Sequence, residues 1–98
     1  MDRQTAQKIL ISREDDIRAR GVVSLSLVGS VARGEAAEDS DIDVLIEVIP
    51  GDKFSLVDQA SLRLFLNDLF DCETDVLIAN DLGDGFRERL SRDQVAVF

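Results

Sequence analysis

Three aspartates are placed to do chemistry together. Asp41 and Asp43 stand one residue apart at the entrance to an apolar run, and Asp75 opens a second run. The segment Asp75-Val76-Leu77-Ile78 repeats Asp43-Val44-Leu45-Ile46 residue for residue. On a strand, alternate side chains point to opposite faces, so Asp41 and Asp43 project together while Ile42 and Val44 enter the core. If the two runs are neighbouring strands, Asp75 takes the place that Asp43 holds on the other, and three carboxylates converge at one edge of a sheet. Carboxylates that close repel one another and raise each other's pKa unless a cation compensates. An all-oxygen cluster suits Mg²⁺ or Mn²⁺, which share octahedral sites with phosphates. Two such ions about 3.5–4 Å apart clamp an in-line phosphoryl displacement, one activating the attacking hydroxyl and one holding the leaving group. Taken alone, Asp-x-Asp at a strand entrance is more often turn chemistry than a metal site. What lies upstream changes that balance.

Upstream runs Leu27-Val28-Gly29-Ser30-Val31-Ala32-Arg33-Gly34. A strand ends, Gly29 permits close backbone approach, and Ser30 can cap the turn while offering its hydroxyl and N–H to an anion. This has the character of a phosphate cradle. Arg33 could contact phosphates or simply pair with Glu35 or Asp39. If the first two strands are antiparallel, the end of one lies beside the start of the other, which brings Ser30 to Asp41 and Asp43.

Composition limits the other possibilities. The chain has 98 residues, with 20 acids against 11 bases and a formal charge of −9. Such a balance disfavours a free nucleic acid as partner, because phosphate affinity rests on clustered Lys and Arg. The absence of histidine rules out a Ser-His-Asp triad and any His-containing zinc site. The single cysteine, Cys72, forms no internal disulfide, which fits a reducing cytoplasm. Its acidic neighbours Asp71 and Glu73 discourage the thiolate, so it is assigned no reactivity. No apolar run approaches the ~20 residues of a membrane span. Between Glu35 and Glu47 lie six acids and no base, so part of the acidic surplus sits at the proposed cation site.

The elements that must position these groups are read from periodicity. Residues 2–20 form a helix with a thin stripe of Ala6, Ile9, Leu10 and Ile17, ended at Gly21. A strand follows at 22–28, a polar connection at 29–40, and a second strand at 42–49 stopped by Pro50-Gly51. A helix over 54–70 buries Val57, Leu62, Phe65, Leu66 and Leu69. A third strand spans 74–79, and a short helix carries Phe86 and Leu90. The tail 95–98 docks on the core. The 42–79 β-α-β unit should be a right-handed crossover with parallel strands. The expected class is α+β: a small mixed sheet of about three strands flanked by helices, forming a single domain over 1–98.

Gly29-Ser30, ten residues, then Asp41-x-Asp43, with Arg33-Gly34 between and Asp75 one helix and one strand later, resembles the nucleotidyltransferase superfamily of the polymerase-beta type. The length and the Gly-Ser-x-Ala-Arg-Gly form are similar to its minimal members. That resemblance implies a palm-like fold, with Asp41, Asp43 and Asp75 as catalytic metal ligands for Mg²⁺ or Mn²⁺. It further implies that Gly29, Ser30 and Arg33 bind the triphosphate of ATP. Minimal members are commonly antitoxins of a helical HEPN-type partner, silencing it by transfer of AMP to a hydroxyl, which implies a hetero-oligomer. Two other readings stand beside this one: an antitoxin acting by occlusion without chemistry, and a nucleotide-binding subunit of a two-part transferase for a small molecule. With no tyrosine or tryptophan for stacking, a partner is expected to complete the site. Phe54, Leu56, Leu64 and Phe70 around the rim of the long helix are a candidate docking surface. Arg87, Arg89 and Arg92 read first as a solvated face.

Overall fold

A computed structural model describes residues 1–35, 41–51 and 54–98. The N-terminal helical region is two helices, α1 (Arg3–Ser12) and α2 (Glu14–Ala19), rather than one. Asp2 caps α1 by accepting from the Thr5 N–H at 2.7 Å, and that bond holds its carboxyl below the ordinary aspartate range. The break falls at Arg13, whose backbone leaves the helical region at φ −117°. Across it, Ala6, Leu10 and Ile17 still share the core, while Ile9 is only partly covered. Gly21, at φ +104°, closes α2 and turns the chain into β1 (Val22–Val28).

The connection after β1 is not all loop. Residues Gly29–Arg33 form a short helix, α3, because Val31 and Ala32 bury against the core while Gly34 ends the turn in the left-handed conformation. The remainder of that expected connection, residues 36–40, lies outside the described residues. Strand β2 (Ile42–Val48) returns antiparallel to β1, with Val28 opposite Asp43 and Leu27 opposite Val44. Helix α4 (Leu56–Phe70) then crosses over to β3 (Thr74–Ile78), which pairs parallel with β2. A capping box starts α4, Ser55 and Asp58 exchanging bonds with each other's backbone N–H. A single 3-10 turn follows, then α5 (Asp84–Ser91) and a two-residue strand, β4 (Val95–Ala96).

The sheet order is β3-β2-β1-β4, so the tail does more than dock: it adds a fourth strand, antiparallel to β1, to the three expected. Each face of this sheet has its own core. Val44, Ile46, Val76 and Ile78 point to the large one, with Leu62, Leu66 and Phe70 of α4 and the α1–α2 residues. The buried stripe of α4 is therefore Leu62, Leu66 and Phe70. Val57 is 77 % exposed, because the first turn of the helix buries nothing. On the opposite face the described residues form a smaller apolar cluster of Val28, Leu45 and Ala79, with Leu77, Leu82 and Leu90 packed on them. α5 contributes no fully buried residue to this thin layer. Asp43 and Asp75, two residues before Leu45 and Leu77, emerge on that sparsely covered face.

Candidate active site

The repeated tetrapeptide is in register. Asp43 pairs with Asp75, Val44 with Val76, Leu45 with Leu77 and Ile46 with Ile78. The parallel ladder thus sets the two aspartates side by side on adjacent strands, as the sequence echo suggested. Asp41 lies just before β2, exposed, and near enough that its charge acts on Asp43. Burial pushes the Asp43 carboxyl above the ordinary aspartate range, the charges of Asp75 and Asp41 push it further, and Arg33 draws it back.

Gly29 reaches this pair from the other side. Because Val28 is opposite Asp43, the residue after it turns over the Asp43 side chain. A Cβ on Gly29 would overlap Asp43 Oδ2 and lie 3.3 Å from its Cγ, and the backbone there has φ +72°. Two separate constraints therefore demand glycine: the left-handed conformation and the carboxylate packed against its α-carbon. Ser30 is the second residue of α3 and does not cap it. The cap position is Val28, which supplies no side-chain bond, so the first N–H groups of this helix are free of side-chain caps among the described residues. Arg33 pairs with Glu35 at 3.0 Å, one of the two pairings that the sequence left open beside phosphate contact. The other, Asp39, lies outside the described residues.

Gly29, Asp43 and Asp75 line a cleft of about 620 Å³ along the free edge of β3. Its walls are mostly apolar: Leu56, Ala60 and Leu64 of α4 on one side, Phe86 and Leu90 of α5 on the other. Leu56 and Leu64, expected at the rim of the long helix, are 82 % and 65 % exposed. Phe70, grouped with them, is instead buried in the core, and Phe54 packs partly against it. Phe86 is the aromatic surface that counting tyrosine and tryptophan missed, since it stands 40 % exposed in the cleft wall. Arg89 lies over it at 5.4 Å, while Arg87 faces a second, smaller cleft with Glu47. Gln59 and Arg63 also line the main cleft and carried no sequence signal beyond their four-residue spacing. Cys72 sits at the far end of α4 with its thiol pushed up first by burial, then by Asp41, Asp71 and Glu73.

Among the described residues, no three His, Cys, Asp or Glu groups are gathered closely enough to form a metal cage by themselves. The donors still fit a hard divalent ion. Asp43 and Asp75 offer carboxylate oxygens side by side, and a divalent cation would stabilise the half-buried Asp43 charge. Ions of this kind complete their shells with water and phosphate oxygens rather than with a full protein cage.

Comparison with known proteins identifies the family. Residues 8–97 match the nucleotidyltransferase domain family. The chain is 34 % identical to the protein adenylyltransferase MntA of Thermococcus cleftensis over 94 residues, covering 93 % of this chain and 91 % of that protein. It superposes on a minimal nucleotidyltransferase at a TM-score of 0.81 with 34 % identity, covering 97 % of this chain and 95 % of the other. A more distant neighbour comes from a complex of a tri-AMPylated HEPN toxin with its MNT antitoxin from Shewanella oneidensis. The TM-score there is 0.69 at 14 % identity, over 94 % of this chain and 71 % of that one, and it shows the shared fold. No helix among the described residues is long and apolar enough to cross a membrane. With the family matched over nearly its whole length, and a glycine-serine turn facing paired strand aspartates, this chain belongs to the nucleotidyltransferase domain family and is a nucleotidyltransferase.

Proposed function

We propose that this chain transfers AMP from ATP to a hydroxyl of a helical HEPN-type protein partner, acting in the cytoplasm as that partner's antitoxin. The observation that carries the reading is the contact of Gly29 with Asp43 and of Asp43 with Asp75. It sets an uncapped helix start and adjacent carboxylates at the mouth of one cleft. In this reading Asp41, Asp43 and Asp75 hold Mg²⁺ or Mn²⁺, which when bound offsets charge on the triphosphate and favours the ionised acceptor hydroxyl. Gly29 and Ser30 direct their backbone N–H groups, and Ser30 its hydroxyl, to the phosphates. Arg33 joins them by leaving Glu35, an exposed ion pair of the kind worth at most about 1 kcal/mol. The acceptor oxygen bonds to the α-phosphorus, the bond to the β-phosphate breaks, and pyrophosphate departs. The name of the Thermococcus relative supports adenylyl transfer to protein, and the AMPylated toxin complex supports the partner.

Pure occlusion is the second reading, favoured by the exposed apolar residues Leu56, Leu64 and Phe86 beside the site. The two separate in one assay, with α-labelled ATP, Mg²⁺ and the purified HEPN-type neighbour. Label is expected on the partner with the wild-type chain and absent with Asp43→Asn. A wild-type chain that binds and silences the partner without labelling it would establish occlusion instead.

A further inference from the structure

Among the described residues β3 is an edge strand, paired with β2 alone. In a parallel ladder, alternate residues bond toward the partner. Ile42 N–H donates to Glu73 C=O at 3.0 Å, so Glu73, Asp75 and Leu77 bond toward β2, while the peptide groups of Thr74 and Val76 face away from the sheet. Edge groups of this kind ordinarily meet water or recruit another strand. Here α4 meets them. Asn67 Oδ1 accepts from Thr74 N–H at 2.7 Å, Arg63 Nε donates to Thr74 C=O at 3.2 Å, and Gln59 Nε2 donates to Val76 C=O at 2.8 Å. Arg63 also reaches Glu73 at 3.1 Å. The three side chains recur every fourth residue, so they form one row along the helix, descending as β3 ascends.

Asp75 is the residue between the two anchored carbonyls. Its own peptide groups are held by β2, and the peptides on either side are held by Arg63 and Gln59. Both of these side chains line the cleft into which Asp75 opens. We propose that Gln59 and Arg63 are positioning residues for Asp75: they pin the free edge of β3 so that its carboxylate keeps register with Asp43. The inference rests on the metal-holding role assigned above to Asp75. A solvated strand edge rocks about its ladder, and a carboxylate on it would share an ion with its neighbour only part of the time. Partners that orient a metal ligand typically matter 10–100-fold in metal affinity or activity.

The test compares Gln59→Leu, which keeps bulk and loses the donor, with Arg20→Ala. Arg20 also anchors α4, through Ser61 Oγ at 3.0 Å and the Phe65 ring at 4.4 Å, and neither of these contacts involves β3. Mn²⁺ binding without nucleotide, steady-state transfer, amide exchange and melting are measured on each. For Gln59→Leu, Mn²⁺ affinity and kcat are expected to fall about tenfold. KM for ATP should stay within about twofold, because Gly29 and Ser30 are untouched, and the Asp75 and Leu77 amides should exchange faster. Arg20→Ala should lower the melting temperature and leave the other readouts at wild type. Arg63→Met, which loses the Thr74 bond, gives an independent reading of the same expectation should Gln59→Leu not fold. Wild-type Mn²⁺ affinity, kcat and exchange in both β3-facing variants would overturn the proposal. A wild-type chain that neither binds Mn²⁺ nor transfers AMP would instead sink the functional reading, and amide exchange alone would then decide whether the edge is pinned.

Discussion

Gly29→Ala tests the closest approach in the site. The backbone there has φ +72°, where a side chain costs roughly 1–2 kcal/mol. The new methyl would also occupy the place of Asp43 Oδ2. Asp43 would have to rotate away, and an off-rotamer side chain costs about 0.5–1.5 kcal/mol. The two effects together predict a loss of about 1.5–3.5 kcal/mol, or roughly 6–28 °C in Tm for a domain near 100 residues. The carboxylate share is separable. In an Asp43→Ala background, Oδ2 and Cγ are gone and the nearest remaining atom, the Asp43 Cβ at 3.4 Å, is in ordinary contact. There, Gly29→Ala should cost only the backbone share, about 1–2 kcal/mol. Urea unfolding of the four proteins in a double-mutant cycle, without metal, measures the difference, expected near 1 kcal/mol. Equal costs in both backgrounds would show that Gly29 does not lie against the carboxylate. A costless Gly29→Ala would refute the left-handed backbone as well.

Asp43→Asn should stabilise the metal-free protein at neutral pH. The folded state raises the Asp43 pKa, so this group's favourable contribution belongs to low pH and is lost as pH rises through the folded-state pKa. The variant's advantage in Tm should therefore be largest above that window and vanish near and below the ordinary aspartate pKa; an advantage that grows on acidification contradicts the assignment. Saturating Mg²⁺ should raise the wild-type Tm and leave that of Asp43→Asn nearly unmoved. Thr74 is fully buried with its Oγ1 lacking a hydrogen-bond partner among the described residues. Thr74→Val, similar in shape, should thus raise stability by about 1 kcal/mol, read by urea unfolding. A loss of that size would mean the hydroxyl is bonded.

The elements that carry the site were legible because their signals are local. Alternation marked β1, Pro50-Gly51 marked the end of β2, the β-α-β order predicted parallel neighbouring strands, and Gly29-Ser30 marked the turn beside them. What was missed depends on partners distant in sequence. Residues 29–33 read as loop because they are small and polar, yet Val31 and Ala32 find a core to bury in and wind a helix. Val57 fits the helical period of α4 but falls in a turn that buries nothing, while Phe70, expected at the rim, is in the core. The tail was recognisable as apolar, but its strand exists only because β1 leaves an edge for it. Phe86, Gln59 and Arg63 have no motif. They join the cleft because α4 and α5 flank the free edge of β3 from opposite faces of the sheet.

By itself the sequence determined the chemistry available to this protein: carboxylates without histidine, a glycine able to take a positive φ, and two identical strand starts. Those properties are intrinsic to residue type and to the two-residue period of a strand. Only the tertiary structure decided that Asp43 and Asp75 are partners in one ladder, that Gly29 lies on Asp43, and that α4 bonds to the edge strand that carries Asp75. Register, close approach and edge protection are relations between segments far apart along the chain, and packing alone brings them together.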